Sequence, residues 1–223
     1  MSFKKVLFAF LSLVLVGGVL IGYGESPKPL PPPDLERIAA DEARGIKFSE
    51  DKRTLVKYNK ELSDEAYTIP FGVTTIGDEA FSECFNLMRV TIPAGVTAIG
   101  KCAFWGCGKV EVAPENPNFC NDAGGWLLID RRNKKLLYAP IGLGAYTIPD
   151  GVTIIGEGAF AGCEELTRIT IPSSVTTIEE GAFYGCPRLT SVTIPSSVKT
   201  IGEGAFKGCP CVESVKKQFP NYR

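Results

Sequence analysis

A solenoid of stacked, near-equivalent coils is the fold class that this sequence predicts, and three observations predict it. One 23-residue unit recurs with starts at Ile69, Ile92, Ile148, Ile171 and Ile194. Its spacing of 23, 56, 23 and 23 keeps the period across an interruption, because 56 is one unit plus an insertion of 33 residues. Aliphatic residues hold fixed phases in every unit. A period of about 20 to 29 residues with that regularity marks leucine-rich solenoids, whose coils bury an apolar side only by stacking.

Composition narrows the function. The 223 residues carry a formal charge of −1 with acids and bases interspersed, so a basic footprint for nucleic acid is lacking. There is no histidine, which removes the usual general base, the commonest zinc ligand and every Ser-His or Cys-His nucleophile pair. The expected protein is non-catalytic, with no cofactor and no metal.

At the N-terminus, Lys4 and Lys5 precede an apolar run from Val6 to Ile21, and Gly22 and Gly24 are small enough for a cleavage site. Residues 1–24 therefore read as a signal peptide cut after Gly24, or as an uncleaved anchor, the chain's one expected membrane contact. Val6 to Tyr23 is 18 residues, the lower limit for crossing a hydrocarbon core of about 30 Å. Either way the repeats are expected outside the cytoplasm, secreted or held at the cell surface or envelope. Residues 25–44 form a linker and a short helix. Pro27 to Pro33 favours an extended polyproline spacer, and Asp34 is a natural N-cap for a helix with Leu35, Ile38 and Ala39 on one face.

Ile46 to Tyr58 and Trp126 to Ala139 each place two apolar runs around a charged turn, and each continues into Tyr-Thr-Ile-Pro, at 67–70 and 146–149. Both read as β-hairpins. The first, within residues 45–68, caps the open end of a solenoid spanning 69–216, where strand edges and apolar surface need cover. The second lies in the insertion at 115–147, introduced by the turn-rich Pro114 to Asn118.

Within a unit, Leu166, Ile169 and Ile171 alternate with polar residues as a short strand, and Pro at 70, 93, 149, 172 and 195 ends it. Val152 and Ile155, then Val175 and Ile178, bring a second short extended piece back to the core. Phe81, Phe104, Phe160, Phe183 and Phe206 are expected to stack at about 4.8 Å per coil as a ladder through the interior. Two places depart from the pattern. The strand after Cys107 shortens to Lys109–Val112, which predicts an irregular coil. The last unit reads Cys209-Pro210-Cys211-Val212 where the two units before it have Cys-x-x-Leu, with Phe219 and Tyr222, in a tail at 217–223, expected to cover the C-terminal end.

The run Ile-Pro-x-x-Val-x-x-Ile-Gly-x-x-Ala-Phe-x-Gly-Cys-x-x-Leu-x-x-Val, spread over Ile69 to Lys216, resembles the BspA-like (Treponema-type) leucine-rich repeat of bacterial surface proteins and some protist surface antigens. The resemblance implies an α/β-type leucine-rich repeat solenoid, a right-handed superhelix of mostly short parallel β-strands with a sheet on its concave side, here with two β-hairpin elements. It also implies adhesion through protein partners, host or extracellular-matrix proteins such as fibronectin and fibrinogen. The family has no shared binding-residue motif to carry over.

Eight cysteines in an exported chain invite a disulfide count. Cys84, Cys107, Cys163, Cys186 and Cys209 share one phase, where in-register side chains sit about 4.8 Å apart, beyond the ~3.8 Å between Cβ atoms that a disulfide prefers. They read as a ladder of buried thiols. Cys102, Cys120 and Cys211 are off phase, and a Cys102–Cys120 bridge would tie the insertion to its coil.

Trp105 and Tyr184 fill the variable slot between Ala-Phe and Gly-Cys, as partner contacts or as packing against a neighbouring loop. Trp126 reads as the packing residue of the insertion hairpin. Outward strand positions are Met88, Arg89 and Thr91; Thr167, Arg168 and Thr170; Thr190, Ser191 and Thr193; and Glu213, Ser214 and Lys216. Of these, Arg89, Thr167, Arg168, Thr170, Thr190 and Thr193 join Trp105 and Tyr184 as candidate partner-binding residues; a solvated edge explains them equally well. Glu164-Glu165 and Glu179-Glu180 read as solvated surface, because adjacent side chains do not converge on one bond. The expected function is protein–protein interaction or adhesion by the sheet and the inserted hairpin, with an envelope-associated structural spacer as the alternative.

Overall fold

Strand-forming Thr-Ile and Val-Thr pairs followed by Pro or Gly dictate very short strands, and the computed structural model, which describes residues 31–220 and 222, has them throughout. Helix α1 (Leu35–Ala43) leads into the hairpin β1 (Lys47–Phe48) and β2 (Thr54–Lys57). The first coils supply β3 (Ala66–Thr68), β4 (Thr75–Ile76), β5 (Arg89–Ile92), β6 (Ala98–Ile99) and β7 (Lys109–Val112). The interruption holds β8 (Phe119–Asn121), β9 (Leu128–Asp130) and β10 (Lys135–Tyr138). Then follow β11 (Ala145–Thr147), β12 (Ile154–Ile155), β13 (Arg168–Thr170), β14 (Thr177–Ile178), β15 (Ser191–Thr193), β16 (Thr200–Ile201) and helix α2 (Val212–Gln218). The segment read as signal or anchor, and the linker up to residue 30, lie outside the described residues.

Strands preceding Ile-Pro pair in parallel as β3-β5-β7 and β11-β13-β15, while the Val-x-x-Ile strands extend the sheets β1-β2-β4-β6 and β8-β9-β10-β12-β14-β16. Equivalent residues align: Ile76 with Ile99, Ile155 with Ile178, Ile178 with Ile201. Val90, Ile169 and Val192 point inward, while Arg89, Arg168 and Ser191 point out, as strand alternation requires. The strand after Cys107 is regular, contrary to expectation: β7 pairs with β5 from Lys109–Arg89 to Val112–Ile92. Gly108 makes the shortened turn possible, because a Cβ there would lie 2.5 Å from the Met88 carbonyl oxygen.

The phenylalanines stack as expected within each half. Ring centroids are 5.4 Å apart for Phe81–Phe104 and 5.0 Å for Phe160–Phe183 and Phe183–Phe206, with planes within 12° of parallel. The N–H groups of Phe81, Phe160 and Phe183 donate to the carbonyls of Ala103, Ala182 and Ala205 in the next coil, each at 2.7 Å. The ladder breaks once, which the repeat phase did not foretell. Leu136 pairs with Ile155 as Leu55 does with Ile76, but the residue bonding to the Ala159 carbonyl is Ala139. The aromatic is displaced by one position, to Tyr138. That ring turns to Phe104 at 5.9 Å, and its hydroxyl donates to the carbonyls of Cys107 and, at 3.0 Å, Gly108. The core is accordingly two clusters, one running from Ile38 to Tyr138 and the other from Leu127 to Tyr222.

Both expected hairpins form, with additions. β2 is antiparallel to β1 and parallel to β4, so the cap is also the first rung of the solenoid. β10 is likewise antiparallel to β9 and parallel to β12, while β8 adds a third antiparallel strand. Much of the 33-residue insertion is thus a divergent coil. It is fastened by Asn116, whose buried amide donates to the carbonyls of Pro93 (2.9 Å) and Val96 (3.1 Å) and accepts from the N–H groups of Asn118 (2.8 Å) and Phe119 (2.9 Å).

At the N-terminal end, Asp34 caps α1 by accepting from the Arg37 N–H at 3.1 Å. The docking stripe is Ile38 and Asp41; Leu35 is 61% exposed and Ala39 is also exposed. Asp41 is held inside by the Tyr67 hydroxyl at 2.6 Å and Arg37 Nε at 3.2 Å, a partnership that selects the face. The end of the proline run lies against the first coil: Arg53 donates to the carbonyls of Pro31 (2.6 Å) and Gly72 (3.0 Å).

At the other end, Glu213, Ser214 and Lys216 lie in α2, not on a strand. No later coil stands among the described residues to pair with a strand there, so the repeat phase continues in sequence while the backbone turns helical. Tyr222 closes the ladder, edge-on to Phe206 at 6.1 Å, and its hydroxyl accepts the Phe206 N–H at 2.6 Å, the bond that an alanine carbonyl takes in inner coils. Tyr222→Phe is expected to orphan that buried N–H and cost about 1–3 kcal/mol, read as a lower midpoint in urea unfolding.

All eight cysteines are free thiols. Cys102 and Cys120, open to pairing on the sequence alone, are not bridged, because Cys102 lies beneath Gly158 while Cys120 sits on β8 opposite Ile129. Cys102 adopts φ +48°, in the slot that Gly158, Gly181 and Gly204 fill in later coils. In the thiol ladder, Cys107, Cys186 and Cys209 donate to the carbonyls of Phe81, Phe160 and Phe183 at 3.2, 3.1 and 2.9 Å. Burial pushes the Cys84 thiol up to about 11 and that of Cys163 to about 12, so both stay protonated and unreactive.

Candidate protein-interaction surface

Where β7 ends one three-stranded sheet and β11 begins the next, the surface opens into a groove of about 700 Å³. Phe85, Met88, Lys109, Trp126, Ile141 and Tyr146 line it. Phe85 is 59% exposed, Met88 64% and Trp126 44%.

Local chemistry holds these side chains out. The turn after Cys84 presents Phe85 and Met88, and the Met88 N–H is tied to the Glu65 carbonyl at 2.9 Å. Phe85 lies over Gly106, where φ is +85° and a Cβ would meet the ring at 2.9 Å, and its ring stands edge-on to Trp105 at 6.3 Å. Trp126 is set by Asp122, whose carboxylate accepts the N–H groups of Gly124 (3.1 Å), Trp126 (2.8 Å) and Leu127 (2.7 Å) and the Tyr146 hydroxyl. Lys109 Nζ rests 5.6 Å from the centre of the Trp126 ring, a cation–π contact. Glu111 pairs with Lys109 at 3.1 Å and Arg89 at 3.5 Å.

Burial, then the bond to Asp122, pushes the Tyr146 hydroxyl above its usual range. Burial alone would raise Asp122, but the Tyr146 hydroxyl and the three amides outweigh it and hold the carboxyl below the usual range. A depressed folded value means that the contribution to stability is present above the ordinary carboxylate value of about 3.9 and is lost as pH falls through the folded value. In a Trp105→Phe background, Trp126 emission should hold steady from neutral pH to about 4 and shift below it as the loop loosens.

The eight candidate residues do not share one surface. Arg168, Thr170 and Thr193 border a shallow depression of about 320 Å³ on β13 and β15, with Thr167 and Thr190 exposed beside it. Arg89 stands at the equivalent position of the other sheet and reaches the groove. Trp105 and Tyr184 belong to another hollow, of about 400 Å³, edged by Glu79, Glu157 and Glu180. Trp105 is half-buried and packs on Gly162, whereas Tyr184 is exposed. The paired glutamates are tied into the surface: Glu165 to Arg188, and Glu179 to Lys135 at 2.7 Å and the Glu157 N–H at 2.9 Å.

Trp126, read as a packing residue, is a half-exposed wall of the groove, and Phe85 received no role from the sequence. A signal existed. Later units carry Glu164, Pro187 and Pro210 at the phase of Phe85, and Thr167, Thr190 and Glu213 at that of Met88. Only the unit beginning at Ile69 puts large apolar side chains at both.

Residues 58–117 and 134–221 match the BspA type leucine-rich repeat region in six copies. The chain belongs to this BspA-type leucine-rich repeat family. The second matched range begins at residue 134 and so takes in β10, within the insertion, outside the five units that begin at Ile-Pro. A leucine-rich repeat protein from Eubacterium ventriosum is 30% identical, with a TM-score of 0.57, over 66% of this chain and 39% of that one. The pneumococcal vaccine antigen PcpA is 28% identical, with a TM-score of 0.51, over 62% of this chain and 40% of its own. The chain therefore spans about two fifths of the length of both relatives. No curated protein matches it in sequence.

Proposed function

We propose that this BspA-type chain is an exported, non-catalytic scaffold, secreted or held at the cell surface, that presents a rigid face for adhesion to a host or extracellular-matrix protein. The observation that carries the reading is the trio Phe85, Met88 and Trp126, held exposed by hydrogen-bonded turns. Contiguous exposed apolar surface marks contact sites. Side chains already fixed before contact lose little ordering entropy on binding. The basic-then-apolar N-terminus supports export, and likeness to a vaccine antigen with the same kind of repeat supports display.

Surface plasmon resonance with immobilised fibronectin and fibrinogen tests it. The chain is expected to bind at least one of them, and Trp126→Ala to weaken that binding about tenfold or more without lowering the melting temperature. Binding to neither would contradict the proposal and favour the spacer alternative, and unaltered binding by the variant would contradict the trio as the contact site.

A further inference from the structure

We infer that the break between the two three-stranded sheets is a strand-addition site: β11 offers an unpaired edge to an extended segment of a partner protein, and the neighbouring groove receives that segment's apolar side chains. This rests on the reading of the chain as an interaction scaffold, and adds where the partner docks and in what conformation.

The edge follows from the ladder. The Ile148 N–H donates to the Thr170 carbonyl at 3.0 Å and the Thr167 N–H to the Gly144 carbonyl at 3.2 Å, so the even-numbered residues of this strand face β13. In a parallel ladder, alternate residues bond to opposite sides. The N–H and C=O groups of Ala145 and Thr147 therefore point away from β13, and β11 has no second strand partner among the described residues. Both residues are exposed.

The other edge at the same break shows what such groups require. On β7, the Asn121 amide donates to the Val110 carbonyl at 2.7 Å and accepts the Val112 N–H at 2.9 Å, a side chain standing in for a strand. β11 has no equivalent among the described residues. Its approach is bare: a Cβ added at Gly142 or Gly144 would meet no atom within 4 Å.

An unpaired strand edge is completed by another extended backbone, and natural proteins either block such edges or use them for recognition. An added strand would turn alternate side chains to one side. That side is walled by Phe85, Met88 and Trp126, so the fitting partner is a linear segment with an apolar residue at every second position.

The test is selection of a linear dodecapeptide phage library on the full chain, followed by amide exchange with the enriched sequence as synthetic peptide. Enriched peptides are expected to alternate apolar and polar residues, and to slow exchange at Ala145 and Thr147. Ala145→Pro, which removes an edge donor at a position where an edge strand tolerates proline, should abolish binding. Should that variant melt early, the same peptide N-methylated at alternate amides removes the donors from the partner's side and should also fail to bind.

Failure to enrich linear peptides, protection elsewhere on the chain, or full binding by the N-methylated peptide would overturn the inference. So would a concentration-dependent dimer that protects Ala145 and Thr147 without peptide, since the occupant would then be a second copy. Fibronectin or fibrinogen binding that depends on Trp126 but ignores Ala145→Pro would overturn strand addition while leaving the scaffold reading intact.

Discussion

Phe183→Ala is expected to destabilise the chain by about 3–5 kcal/mol, a large share of the total stability of an array this short. Phe183 is fully buried between Phe160 and Phe206, each 5.0 Å away, so truncation opens a cavity that two further rings must partly line. Its backbone cannot move to fill the space, because its N–H is bonded to Ala205 and its carbonyl to the Cys209 thiol. The two-cluster core localises the damage: exchange at the Phe160 N–H should accelerate while that at the Phe81 N–H barely changes. Urea unfolding gives the energy, and amide exchange gives the place.

Asn116→Ala is expected to cost on the order of 3 kcal/mol, although it removes hardly any apolar surface. Its amide serves four backbone groups: the Pro93 and Val96 carbonyls and the N–H groups of Asn118 and Phe119. Leaving buried groups unpaired costs about 1–3 kcal/mol apiece, discounted here for those that water reaches once the loop loosens. The same methods should show the interruption opening first, with faster exchange at Phe119 and no change at the Phe183 N–H. Asn116→Asp sets a carboxylate oxygen against the Pro93 and Val96 carbonyls in a buried site, so at neutral pH it should cost at least as much as Ala.

The repeat made most of the fold legible. Ile-Pro, Ala-Phe and Gly-Cys recur at fixed phases, and each phase corresponds to one backbone event: a strand end, a ladder rung, a buried thiol. Tyr222 was legible as an end cover because an aromatic beyond the last unit has one free rung to stack on. What escaped depended on contacts distant in sequence. Asp41 counts as a solvent-facing residue on a helical wheel, yet Tyr67 makes it the docking residue. Tyr138 sits one position off the aromatic slot, so the divergent coil and the split core do not show in the spacing of Ile-Pro. Glu213 to Lys216 keep the repeat phase, but strand or helix is decided by whether a neighbouring coil is there to pair with.

The candidate site was less legible than the fold. Arg89, Arg168 and the threonines were placed outward by alternation, which the strands follow. Alternation says nothing of which outward residues gather. The groove arises because the sheets part at the interruption, and because Asp122, through four hydrogen bonds, pins Trp126 half out of the core.

Amide hydrogen exchange on the free, monomeric full chain tests the central claim, a rigid stacked scaffold with the β11 edge left open, most directly. The N–H groups of Phe81, Phe160 and Phe183 should be among the slowest to exchange, and those of Ala145 and Thr147 among the fastest of any strand residues. Fast exchange along the phenylalanine ladder would contradict the scaffold, and protection of Ala145 and Thr147 in the free chain would contradict the open edge.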